Sequence, residues 1–285
     1  MSVFDTTRCE LGEGPLWHPV RNQLFWFDIP GRRLLTQENG KTRQWNFDDP
    51  VTAAGWIDGA RLLVASSREL FTFDLGAGLA EHVTFLDAEN PTTRSNDGRA
   101  DPWGGFWIGT MGFKSEPGAG AIYRYYRGEL RKIVPGLTVP NAICFDPEGV
   151  FGCYADSRER AIRRIRLDDA TGWPVGDSEI FIDMRQDDWS PDGAVMDAAG
   201  ALWNAQWGRG RVAAYGRDGA FLREIAFPAL KTTCPAFGGE DLTTLFCTTA
   251  SEGLSDAELA AAPQSGMTFA VDGAGTGRAE HRVAM

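Results

Sequence analysis

One sequence unit recurs about six times along this chain, and a repeat of that kind constrains the fold more than any single motif. Each unit is a short apolar stretch, a turn bearing Gly, and a second apolar stretch, the pattern of a β-hairpin. The clearest copies run from Asn96-Asp97-Gly98 to Phe106–Gly109, from Pro140-Asn141-Ala142 to Gly152–Ala155, and from Pro191-Asp192-Gly193 to Leu202–Ala205. Their turns are built alike, at Asp101–Gly104, Asp146–Gly149 and Asp197–Gly200. Earlier copies start at Leu11-Gly12-Glu13-Gly14 and Val51–Trp56, and a last one at Cys234–Phe237. The starts lie about 40 to 51 residues apart, the period of a four-stranded propeller blade. The second copy is the weakest, because Ser66-Ser67 interrupts its strand signal.

A third and a more polar fourth strand follow each hairpin, as in Ala121–Tyr125 with Leu130–Ile133, and the polar one suits an outer edge. The expected fold is all-β: a six-bladed β-propeller formed by residues 1–285 as one domain. A ring must close, so Val3–Cys9 is expected to supply the outer strand of the last blade. One helix is expected, with Ser255 as N-cap and Glu258 completing a capping box.

Composition narrows the function. Five cysteines without C-x-x-C spacing argue against both a disulfide framework and a thiolate metal site. A net charge of −11 speaks against binding a nucleic-acid backbone. No apolar run approaches a membrane span, and Met1–Asp5 does not open a secretory leader, so a cytoplasmic protein that leaves membranes alone is expected. Three scattered histidines, with no G-x-S-x-G and no phosphate-binding Gly-Lys-Ser/Thr loop, leave zincin, serine-triad and P-loop chemistry without residues.

What remains is the set of polar residues at the starts of different units. In a propeller these positions face one another across the axis, so Glu13, Asn96, Asn141 and Asp192 would converge. Each alone has an ordinary reading, since Asn and Asp beside Gly or Pro are common in turns. Together they bring two carboxylates and two amide oxygens to one place, which is costly unless a cation compensates. An all-oxygen set suits a hard ion such as Ca²⁺, Mg²⁺ or Mn²⁺ better than a structural Zn²⁺. Trp189 and Trp207 flank the fifth mouth and are candidates for packing on a ligand.

These stretches, with Arg94-Ser95-Asn96-Asp97-Gly98, Gly109-Thr110-Met111 and Phe237-Gly238-Gly239, resemble the gluconolactonase/regucalcin (senescence marker protein) family over essentially the whole chain. The resemblance implies a six-bladed propeller with one divalent metal (Ca, Mg, Mn, Zn or Fe(II)) held by Glu13, Asn141 and Asp192. It also implies hydrolysis of a sugar lactone, with Asp192 doubling as general base and Arg94 and Asn96 contacting substrate. Phe113-Lys114 stands where some members carry an acidic residue, making Lys114 a further candidate contact, and Ala142 stands where Gly often follows the Asn. A monomer or weak homo-oligomer is expected. Two other readings stay open on the residues: hydrolysis of another ester or phosphotriester at the same metal, and a calcium-binding propeller without chemistry.

Overall fold

The computed structural model describes residues 1–285 and holds six four-stranded antiparallel sheets. The first five each use four consecutive strands. Their inner strands are Gly12–His18, Val51–Trp56, Thr93–Ala100, Pro140–Phe145 and Ser190–Met196. The sixth sheet runs Lys231–Gly238, Thr244–Ala250, Thr268–Val271, and then the N-terminal strand Ser2–Asp5 on its outside. Val3 pairs with Phe269 there, and the strand ends at Asp5, short of the Val3–Cys9 span. Thr6–Cys9 leaves the sheet, and Cys9 donates its N–H to Gly266 instead. Neighbouring inner strands touch all the way round, the first meeting the last, so the sheets are the blades of a six-bladed propeller.

Each blade is wedged against the next by its apolar faces. Leu63 and Ala65 of the second blade pack with Ala100, Phe106 and Ile108 of the third, and Phe25 and Phe27 of the first with Leu62, Val64 and Phe73 of the second. Trp26, Trp107 and Trp203 are fully buried in these seams. Polarity rises outward, and the fourth strands Lys41–Asn46 and Phe221–Ala226 bury no side chain. The helix Asp256–Ala261 is inserted between the second and third strands of the sixth blade, with the Ser255/Glu258 capping box formed. It is the one α-helix, and no helix is long and apolar enough to cross a membrane.

One irregularity is common to every blade. The pairing of inner with second strand slips at Glu13/Leu16, Val51/Ala53, Ser95/Gly98, Asn141/Cys144, Pro191/Ala194 and Thr232/Pro235. A bulge re-aims the side chains beside it and strengthens the local twist. Six bulges at one level turn the polar starts of the inner strands into the channel.

Candidate active site

At that level a cavity of about 330 Å³ opens to one mouth of the channel, with Glu13, Arg94, Asn96, Asn141, Asp192 and Trp207 in its lining. The backbone explains how these side chains reach it. Gly14, with φ at 55°, lies so close to the second blade that a Cβ there would fall 2.3 Å from the Thr52 carbonyl oxygen. A Cβ on Gly193 would fall 2.3 Å from Cys234 Sγ of the next blade, so the chain beyond Asp192 passes where only Gly fits. Ala142 takes the left-handed φ of 55°, a conformation that disfavours a Cβ by roughly 1–2 kcal/mol, which is the physical reason for a Gly at such a place.

The amide groups form a relay. Asn96 Nδ2 donates to Asn141 Oδ1 at 2.9 Å and to the Pro140 carbonyl at 3.0 Å. Asn141 Nδ2 donates to Ser157 Oγ, which donates to the Pro191 carbonyl beside Asp192. This fixes Asn141 with its oxygen toward Asn96 and one lone pair uncommitted. One amide hydrogen of Asn96 goes to Asn141 and the other to the Pro140 carbonyl, so Asn96 positions Asn141. Arg94 Nη1 donates to Asn96 Oδ1 at 2.9 Å and to the Ser95 carbonyl.

Glu13 and Asp192 are buried within hydrogen-bonding reach of each other. Burial pushes the Glu13 carboxyl up to about 8, helped by the charge of Asp97, while the Gly14 N–H and the Arg94 charge hold it down. Burial, and then the charges of Glu13 and Asp97, push Asp192 well above the usual carboxylate range. The centre is not without a cationic side chain, since Arg94 belongs to the same cavity, but Arg94 makes no ion pair with either carboxylate. Two carboxyls so placed are at ease only when they share a proton or face a cation. With the free lone pair of Asn141 they make an all-oxygen donor set, and these residues fit a hard divalent ion.

Two expected contacts lie elsewhere. Lys114 is exposed outside the cavity lining, its N–H donating to Glu116 Oε2 in a tight loop whose Ser115 has φ at 56°. Trp189 also stays out of the lining, because its ring is taken up by the guanidinium groups of Arg209 and Arg211, 5.2 and 4.8 Å from the ring centroid. Trp207 does form part of the wall, with Lys231 Nζ 4.7 Å over its ring.

Of the lining residues that were not candidates from the sequence, five lie just past second strands: Phe113, Ser115, Ser157, Arg158 and Glu252. They follow the second strands Phe106–Gly112, Phe151–Asp156 and Thr244–Ala250. They share neither residue type nor a fixed offset from the strand end, so no sequence signal marks them. Asp97, outside the lining, is buried close enough for its charge to act on both carboxyls, its Oδ2 accepting from Ile143 N at 2.8 Å.

The model of the SMP-30/gluconolactonase/LRE-like region matches residues 11–251, which includes every residue of the centre. The chain belongs to this family. Among its relatives, an L-arabinolactonase of Azospirillum brasilense is 34% identical over 99% of this chain and 95% of its own length. A 6-deoxy-6-sulfogluconolactonase of Pseudomonas putida is also 34% identical, over 91% of this chain and 90% of its own. Among solved structures, a calcium-binding protein, regucalcin, from Agrobacterium tumefaciens superposes with a TM-score of 0.98 at 38% identity, covering 100% of this chain and 97% of that one. The family match and that superposition agree with the sequence reading of a gluconolactonase/regucalcin-like propeller.

Proposed function

We propose that this SMP-30/gluconolactonase/LRE-like protein hydrolyses a sugar lactone to its hydroxy acid at a divalent-metal centre formed by Glu13, Asn141 and Asp192. The observation that carries the reading is the buried Glu13–Asp192 pair with the oriented Asn141 oxygen at the floor of an open cavity. The lactonase relatives supply the substrate class.

A bound divalent ion supplies Lewis-acid polarisation of the carbonyl and a positive charge that keeps the two carboxyls ionised. Asp192 accepts a proton from water as the water oxygen attacks the lactone carbonyl carbon. When the ring C–O bond breaks, the same proton returns to the departing alkoxide and leaves a hydroxyl on the acid. Arg94 lines the same cavity as the two carboxyls, and its guanidinium would offset the charge that develops on oxygen. Asn96 and Ser157 hold Asn141 and the Pro191–Asp192 backbone in place. Trp207 forms an apolar wall suited to a sugar ring face.

The test is pH-stat hydrolysis of a panel of aldono-1,4- and aldono-1,5-lactones, with the spontaneous rate subtracted. Turnover well above background on one or a few of them is expected. Background rates throughout, on a protein that binds Ca²⁺ or Mn²⁺ in calorimetry, would overturn the lactonase reading.

A further inference from the structure

A sugar lactone differs from a bare lactone by its hydroxyls, each of which brings a proton that needs an acceptor. Three carboxylates line the cavity: Glu13, Asp192 and Glu252. The first two are committed to the centre at its floor. Glu252 stands at the rim, on the turn after the second strand of the sixth blade, and neither of its carboxylate oxygens accepts a hydrogen bond from the protein or joins an ion pair.

Its backbone, by contrast, is firmly held. Glu252 N and Ser251 N both donate to the Glu10 carbonyl, at 2.8 and 3.0 Å, and Lys231 Nζ donates to the Glu252 carbonyl at 2.6 Å. Ser251 Oγ donates to the Cys9 carbonyl. The tied turn fixes where the residue stands over the cavity, so a docking hydroxyl has only the side-chain rotamers to order. Glu252 is also the carboxylate whose charge acts most strongly on Arg94. Acceptor and donor line one cavity.

We propose that Glu252 is a specificity-determining residue that accepts hydrogen bonds from ring or side-chain hydroxyls of the sugar lactone, with Arg94 donating alongside it. This rests on the lactonase reading for its substrate, but not for its binding chemistry. A carboxylate accepting from hydroxyls makes charge-assisted hydrogen bonds, stronger than those between neutral groups. Such contacts separate polyhydroxylated from plain lactones. The neutral hydroxyl of Ser115 in the rim contributes more weakly, and that of Ser157 is already engaged by Asn141 and the Pro191 carbonyl.

The experiment compares wild type with Glu252→Ala and Glu252→Gln on an aldono-1,4-lactone and on γ-butyrolactone, which has no hydroxyl. Binding of 1,5-anhydro-D-glucitol, a ring polyol without a carbonyl, is measured by calorimetry alongside. Loss of the carboxylate is expected to lower kcat/KM for the sugar lactone by about 10- to 100-fold, mainly through KM, and to leave γ-butyrolactone within about twofold. Glu252→Gln keeps one acceptor oxygen and should fall between. Equal losses on both lactones, or none on either, would overturn the role of Glu252 while leaving the lactonase reading intact. Should no lactone be hydrolysed, polyol binding that wild type shows and Glu252→Ala loses would support the role of Glu252. Equal polyol binding by both, or by neither, would overturn it.

Discussion

Glu13 and Asp192 pay for their position with an unfavourable ionisation. Glu13 titrates near 8 in the folded chain against an ordinary 4.5, so the fold binds a proton that the unfolded chain has released across that range. The stability tied to that proton is complete below about 4.5 and is lost as pH rises through about 8. A divalent ion competes with the proton, so it should matter more at higher pH. The melting temperature of chelator-treated protein is expected to fall from pH 5 to pH 8.5, and the increase on adding Ca²⁺ or Mn²⁺ to grow over the same range. A metal-induced shift as large at pH 5 as at pH 8.5, by scanning calorimetry, would count against this linkage. Asp192→Asn removes one of the two like charges. Its chelated form should melt no lower than wild type above pH 8, while kcat/KM falls by about 10³-fold or more. Gly193→Ala would drive a methyl into Cys234 Sγ, and is expected to cost about 1–3 kcal/mol in urea denaturation and to displace Asp192, with a matching loss of activity.

In every blade but the first, the hairpin between the first two strands carries a turn aspartate that accepts from the turn's backbone N–H groups. Asp146 Oδ1 accepts from Glu148 N, and Oδ2 accepts from Val150 N and Phe151 N. Asp197 does the same for Ala199 N and Ala201 N and also holds Trp203 Nε1. Asp101 adds a fully buried ion pair with Arg124, whose guanidinium stacks on Tyr126 and Trp173 at 4.5 and 4.4 Å. Asp146→Ala is expected to cost about 1–3 kcal/mol, and Asp101→Ala about 3–5 kcal/mol because it strands a buried cation. Equal costs in urea denaturation would mean that the ion pair adds nothing. These turns made the repeat legible, since Asp and a positive-φ Gly at fixed spacing are local requirements. The Glu13, Asn141 and Asp192 positions were legible for the same reason, lying next to Gly or Pro at matched points. The rim was not. Phe113, Arg158 and Glu252 follow second strands with no shared residue type, and only the ring geometry puts them over the centre. Trp189 and Lys114 misled because closeness in sequence to the mouth says nothing of which way a loop turns its side chains.

Across the whole molecule, both chain ends work on the ring. The N-terminal strand is the outer edge of the sixth blade, while the C-terminal tail crosses the mouth opposite the cavity. Glu280 forms a buried ion pair with Arg99, which also donates to the Ile143 and Ala194 carbonyls of two other blades. Val283 N donates to the Trp56 carbonyl and Ala284 N to that of Gly104, and Trp56 Nε1 donates to the Glu280 carbonyl. Nothing in the sequence of this tail is periodic, and its contacts are mostly backbone, so pattern reading passes over it. Glu280→Ala leaves Arg99 buried without its carboxylate and is expected to cost about 3–5 kcal/mol, whereas Glu280→Gln with its remaining hydrogen bond should cost less.

The most direct test of the metal centre is to titrate chelator-stripped protein with Mn²⁺ or Ca²⁺ while following hydrolysis of an aldono-1,4-lactone. Turnover should rise in proportion to the added ion, level off at one ion per chain, and stay near background throughout in Glu13→Gln. Full turnover in the stripped protein, or an unchanged titration in Glu13→Gln, would contradict a centre built from Glu13, Asn141 and Asp192.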